Sequence, residues 1–171
     1  MRLLFIFALI LNYANASLLD ISSFEADFTQ TITDEKNKVL KYKGHILASK
    51  PDNASWNYVS PIEKQVFISK YEATIVEPEI EQVIIRRISS EFDFFHLVQT
   101  AKEISKDNYV TVYNNTKYSI KTNNGLVESI YFLDQFENKV KIVFSAQRQN
   151  HKIDKDRFIP KYPIDFDIIR D

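Results

Sequence analysis

Between Phe24 and Thr33 the chain alternates: Phe24, Ala26, Phe28 and Ile32 are apolar, while Glu25, Asp27, Thr29, Thr31 and Thr33 are polar. A period of two puts the first set on one face of a strand and the second on the other; on a helix the same residues would be strewn round the circumference. A half-buried strand is therefore the starting point of the fold. After a polar turn at 34–38, Leu40, Tyr42, Gly44 and Ile46 alternate with Lys41, Lys43 and His45, and the two segments form a hairpin. Further strands are expected at 54–59, 64–69, 73–76 and 82–88, each stopped by proline or a charged cluster, which makes this half a meander.

The period then changes. Ser90 can cap a helix with Asp93 at its third position, and Phe94, Leu97, Val98 and Ala101 recur at helical spacing up to Lys102. Strands resume at 109–113, 117–121, 126–133 and 139–147, and Asn124-Gly125 suits a type I′ hairpin turn between the middle two. A helical turn is expected at 154–158, and after Pro160 and Pro163 an edge strand at 164–169. The fold class is mainly β with α: a single domain of about ten strands in a highly curved antiparallel sheet, closed or nearly so, with a helix over its open side.

The first sixteen residues carry one charge, Arg2, then an apolar run from Leu3 to Leu11, then Ala14-Asn15-Ala16. That order reads as an export signal cleaved near Ala16, followed by one domain at 17–171. The apolar run is too short for a bilayer core, which needs about 20 residues. The chain has no cysteine, hence neither disulfides nor an acylated cysteine to tether it to a membrane. Without residues 1–16 it keeps 21 basic and 23 acidic residues, a net charge near −2 that implies no charge-driven binding to nucleic acid. Thirteen Phe and nine Tyr stand beside only two Gly, and part of that aromatic content is expected to line a cavity.

Chemistry is sparse. His45, His96 and His151 fall on a strand, a helix and a loop, with no metal-ligand spacing, and read as surface or edge residues. No Gly-x-Ser-x-Gly elbow, cysteine nucleophile or glycine-rich phosphate loop is present. The carboxylates at Glu77, Glu79 and Glu81, at Asp154 and Asp156, and at Asp165 and Asp167 are spaced by two, as on a solvated strand face, and Arg86 and Arg87 point to opposite faces. No enzyme activity, cofactor or metal is expected.

Lys50-Pro51 and Ser60-Pro61 bracket the single Trp56 together with Tyr58 as a short strand between fixed corners, both aromatics on one face. Phe28-Thr29-Gln30 precedes this stretch, and Pro78-Glu79-Ile80-Glu81-Gln82-Val83 follows it. The run from Phe24 to Ile88, about 65 of the 171 residues, resembles the periplasmic outer-membrane lipoprotein carrier family, LolA. In that family it reads Phe-x-x-x-Phe-x-Gln, then Gly, then Arg-Pro-x-x-x-x-Trp-x-Tyr, then Pro-x-x-Glu-Gln. The resemblance implies an unclosed half-barrel covered by a helical lid over an apolar cavity. The implied protein is a periplasmic monomer that takes acylated lipoproteins from an inner-membrane lipoprotein-releasing ABC transporter to an outer-membrane acceptor, LolB-like or other.

On this basis the expected cavity wall is Phe28, Tyr42, Ile46, Trp56, Tyr58, Val66, Ile68, Val83 and Ile85, and the expected lid residues are Phe94, Leu97 and Val98. The family's arginine before proline hydrogen-bonds to the lid and holds the empty carrier closed. Lys50 stands there in this chain, and without the planar fork of arginine a looser latch is expected. The chain also departs from the family at Ala54, where a bulky apolar residue is usual, at Ser69-Lys70-Tyr71, where the family has Ser-Asp-Gly, and in the short segment 17–23 before the first strand. Two other roles remain open: a lipid- or lipoprotein-sensing periplasmic module of the same fold, and a secreted enzyme acting on envelope lipids.

Overall fold

A computed structural model describes residues 21–87 and 94–170. The export signal at 1–16, the Ser90 cap with Asp93, and Ile88 lie outside the described residues. Twelve strands, β1 (Ser23–Thr33), β2 (Val39–Ser49), β3 (Asn53–Ser60), β4 (Lys64–Ser69), β5 (Glu72–Glu77), β6 (Gln82–Arg87), β7 (Lys102–Ser105), β8 (Asn108–Tyr113), β9 (Thr116–Asn123), β10 (Leu126–Leu133), β11 (Lys139–Gln149) and β12 (Asp167–Arg170), form one sheet. Among the described residues one α-helix, α1 (Phe94–Thr100), interrupts them.

The order across the sheet is β12-β6-β5-β4-β3-β2-β1-β11-β10-β9-β8-β7. The first meander ends on β1, which pairs antiparallel with β2 on one side and β11 on the other and so joins the two halves of the chain. The last strand, β12, pairs parallel with β6. Strands β12 and β7 are the two edges, so the strip does not close. Asn124 and Gly125 both have positive φ, 50° and 77°, as the expected type I′ turn requires.

The largest departure from the sequence expectation comes after the helix. The helix stops at Thr100, and Lys102 opens β7, which pairs with β8. All four residues of β7 are exposed, so an edge held by main-chain bonds carries no alternation for the sequence to display.

The sheet is strongly bent. Val66 on β4 and Phe132 on β10 line one hollow, yet they lie five strand spacings apart, about 24 Å in a flat sheet. The face they share is therefore concave. Cross-strand register carries that face in rows: Ala26, Ile46, Trp56, Val66, Ile75 and Ile84 form one, and Phe24, Ala48, Ala54, Ile68, Ala73 and Arg86 the next. The main core sits on this side and includes Phe24, Phe28, Trp56, Ile120, Ile130, Ile142 and the inward residues of α1. On the convex side Leu47, Ile153 and Phe158 make a small second cluster beneath the 3₁₀ turn Lys155–Phe158.

Candidate functional site

Two adjoining hollows, each of about 220 Å³, lie along the concave face and share Gln30 and Tyr58. The inner one is walled by Trp56, Tyr58, Val66, Ile68, Phe132 and Ile142, together with Gln30. The outer one, toward the hairpin tips, is walled by Ile32, Tyr42, Ile62, Lys64 and Glu77. Phe28 lies beneath the floor, buried, with its ring edge-on to Trp56 and Tyr58 at 5.1 Å from each. Gly44, opposite Phe28 in the β1–β2 ladder, makes room for that ring.

The inner hollow has no charged side chain in its wall, while Lys64 and Glu77 stand at the outer one. Tyr58 donates its hydroxyl proton to Gln30 Oε1 at 3.2 Å. Burial, helped by neighbouring Tyr42, pushes the phenol up to about 12, so it remains a neutral donor at any physiological pH. A surface of rings and aliphatic side chains with one hydrogen-bonded polar pair can hold an apolar ligand by contact alone. Among the described residues no group of His, Asp and Glu could hold a metal ion.

Of the residues expected at the wall, Tyr42, Trp56, Tyr58, Val66 and Ile68 line the two hollows, and Phe28 and Ile46 are buried in the core behind them. Val83 and Ile85 require a correction. Register pairs Ile84 with Ile75, Val66 and Trp56, which turns Val83 and Ile85 to the convex face. Val83-Ile84-Ile85 is an unbroken apolar run, so alternation cannot say which of them points inward, and a slip of one residue reverses all three. Phe132 and Ile142 were missed. Their strands alternate visibly, but only the β1–β11 pairing brings them to face Trp56.

Helix α1 packs across this face with Phe94, Phe95, Leu97 and Val98 buried. The Phe94 ring lies 4.5 Å from that of Phe24 and 5.6 Å from that of Phe95. At its C-terminal end Thr100 Oγ1 donates to the His96 carbonyl at 2.8 Å and sits 2.7 Å from Thr111 Oγ1 on β8. From the opposite wing Lys50, at the corner between β2 and β3, holds its ammonium 5.8 Å from the centre of the Phe95 ring. The helix thus touches both wings of the sheet. Phe95 had not been expected to face inward, because the helical stripe runs through Phe94, Leu97 and Val98.

Comparison with known proteins agrees with this architecture. Residues 20–119 match the family model described as outer membrane lipoprotein carrier protein LolA. The chain belongs to the LolA family. It is 40% identical over 152 residues to the outer-membrane lipoprotein carrier protein of Campylobacter jejuni, covering 89% of each chain, and 30% identical over 158 residues to that of Wolinella succinogenes, covering 92% of each. Among solved structures, an uncharacterized conserved protein from Thermus thermophilus has a TM-score of 0.57 at 11% identity, over 92% of this chain and 95% of that one. A LolA superfamily protein from Nitrosomonas europaea has a TM-score of 0.50 at 9% identity, over 85% and 94%. Both likenesses concern the fold. The family model stops before β10 and β11, which supply Phe132 and Ile142 to the wall of this LolA-family chain.

On the convex face a second cluster has no counterpart in the sequence reading. The Glu25 side chain, 8% exposed, pairs with Arg148 at 2.5 Å, His151 at 2.9 Å, Arg157 at 3.0 Å and His45 at 3.2 Å. His45 also meets Asp27 at 2.7 Å. Burial alone would raise the Glu25 pKa; hydrogen bonds from Arg157, Arg148 and His45 outweigh it and hold the carboxyl at about 2. Two of the histidines read as scattered surface residues thus converge on one carboxylate. The cluster fastens the segment after β11 to the back of β1 and β2.

Proposed function

We propose that this LolA-family chain is a periplasmic carrier that shelters the acyl chains of lipoproteins on the way to the outer membrane. The observation that carries the reading is the apolar hollow walled by both halves of a bent sheet, with α1 packed into the core on the same concave side. Each exposed methylene costs about 0.8 kcal/mol in water, so a sixteen-carbon chain is disfavoured there by on the order of 12 kcal/mol. A cavity that transports such a chain must offer comparable burial and still let go. Non-directional contact with rings and aliphatic side chains meets the first demand, and a helix that opens meets the second.

In this reading the export signal at 1–16 delivers a monomeric domain, 17–171, to the periplasm. Cargo arrives from an inner-membrane lipoprotein-releasing ABC transporter and leaves to an outer-membrane acceptor. The protein binds and releases and makes no covalent change. Helix α1 is the lid, with Phe94, Leu97 and Val98 as its inner face, and Lys50 over Phe95 is the latch.

Trp56 is the single tryptophan and lines the cavity, so its fluorescence reports occupancy directly. Brominated acyl chains on a lipoprotein quench it saturably, and Phe132→Ala weakens that binding about tenfold, the effect of losing one large apolar contact. Absence of quenching beyond that given by a water-soluble brominated control overturns the reading. The latch has its own test. Lys50→Leu removes a cation–ring contact of about 0.5–1 kcal/mol and speeds release of a fluorescent acyl cargo about two- to fivefold, while Lys50→Arg slows it. Equal release rates in the three proteins would make Lys50 an ordinary surface lysine.

A further inference from the structure

The hairpin loops 34–38 and 134–138 are built alike. In the first, Asp34 Oδ1 accepts from the backbone N–H groups of Lys36 at 2.9 Å and Lys38 at 2.8 Å, and Asn37 has φ 61°. In the second, Asp134 Oδ1 accepts from Phe136 and Asn138, both at 2.9 Å, and Glu137 has φ 62°. The two tips stand side by side, because Thr33 at the end of β1 pairs with Val39 on one side and Lys139 on the other. Two rigid turns therefore project together from one end of the sheet.

They carry exposed apolar and basic side chains together. Outermost is Phe136, 69% exposed at the centre of its turn, and behind it Val39 and Leu133 are also exposed. One row further in on the same face, Lys41, Thr31, Lys141 and Tyr131 lie side by side. That row is two residues back, about 7 Å. Lys139 stands in the row of Val39 and Leu133 itself, and Lys36 and Lys38 lie in the first turn; all three are exposed. Asp34 and Asp134 are taken up by their own turns, which leaves Glu35 and Glu137 as the outward carboxylates against five lysines.

We propose that the paired tips are a membrane-contact surface for anionic phospholipid. Exposed apolar side chains at the tips, with lysines beside them and the Lys41–Lys141 band about 7 Å behind, match a bilayer surface, where apolar side chains sit about 5–10 Å below the headgroups and lysines reach back to the phosphates. The inference deepens the carrier reading, on which its purpose rests. Exposed Leu40 pairs with Ile32, and Ile32 lines the outer hollow, so an apolar path runs from the tips into the cavity. Acyl chains would then pass between cavity and bilayer with little exposure to water.

The absence of cysteine makes the test direct. In the cargo-free protein, an environment-sensitive fluorophore attached through Phe136→Cys brightens and shifts blue with phosphatidylglycerol-containing vesicles, and not with phosphatidylcholine alone. The same fluorophore at Tyr71→Cys, on the exposed β4–β5 turn at the opposite end, does not change. Vesicle affinity falls about tenfold or more in Val39→Ser combined with Phe136→Ser, and by a similar factor in Lys41→Gln combined with Lys141→Gln, where added salt has less further effect. No vesicle binding, an equal response at positions 71 and 136, or capture of a membrane protein through position 136 without any lipid response overturns the proposal. Loss of vesicle binding with intact acyl quenching of Trp56 sinks this inference alone; loss of the quenching with vesicle binding retained sinks the carrier reading.

Discussion

Alanine at position 44 destabilises the fold by about 3 kcal/mol or more, the largest effect expected from adding a single carbon. A Cβ at Gly44 would stand 2.2 Å from the Asn57 carbonyl oxygen and 2.7 and 2.8 Å from atoms of the Phe28 ring. A backbone oxygen cannot swing aside. Relief requires β3 to move off β2 at the point where their register already shifts between Lys43 and Gly44, or Phe28 to leave its edge-on contacts with Trp56 and Tyr58. Either response reshapes the cavity floor as well as weakening the sheet. Urea unfolding followed by Trp56 fluorescence measures both. A Gly44→Ala midpoint equal to that of the native protein would mean that the Phe28 ring does not lie over Gly44.

Glu25→Gln costs about 3 kcal/mol near neutral pH and flattens the acid limb of the stability curve. Glutamine keeps the shape but removes the charge that faces Arg148, Arg157, His45 and His151. The folded-state pKa of Glu25 is depressed, from the usual 4.5 to about 2. Its contribution to stability is therefore complete above pH 4.5 and fades as the pH falls toward 2, where the folded state too becomes protonated. Unfolding free energies measured across that window decline more steeply for the native protein than for Glu25→Gln. Parallel curves would show that the carboxylate is not held by its partners. Because Arg157 and His151 lie on the segment after β11, the substitution also loosens that segment, which proteolysis detects.

The strands were legible because their signal is local. Phe24 to Thr33 and Leu40 to Ile46 show which residues share a face without reference to the rest of the chain, and Asn124-Gly125 names its own turn. In β6 the legibility ends: three apolar residues in a row fit either register, and ladder pairing with β5 chooses Ile84 for the inside. Strand β7 was hidden for the opposite reason, since a solvated edge has no buried face to alternate with. Phe95 was missed because helix periodicity describes one stripe, whereas α1 is covered on more than one side, and Lys50 reaches it from another wing.

From its residues alone this chain determined a meander of strands broken by one helix, an aromatic face carrying Trp56 and Tyr58, and a lysine before proline at the corner beside them. Tertiary structure alone decided that Phe132 and Ile142 complete the cavity wall, that Val83 and Ile85 turn to the convex face, and that Glu25 gathers partners from β2, β11 and the following turn. The division is physical. Face and turn are fixed by neighbours a few bonds away, while the joining of β1 to β11 depends on burying surfaces contributed by segments far apart in the chain.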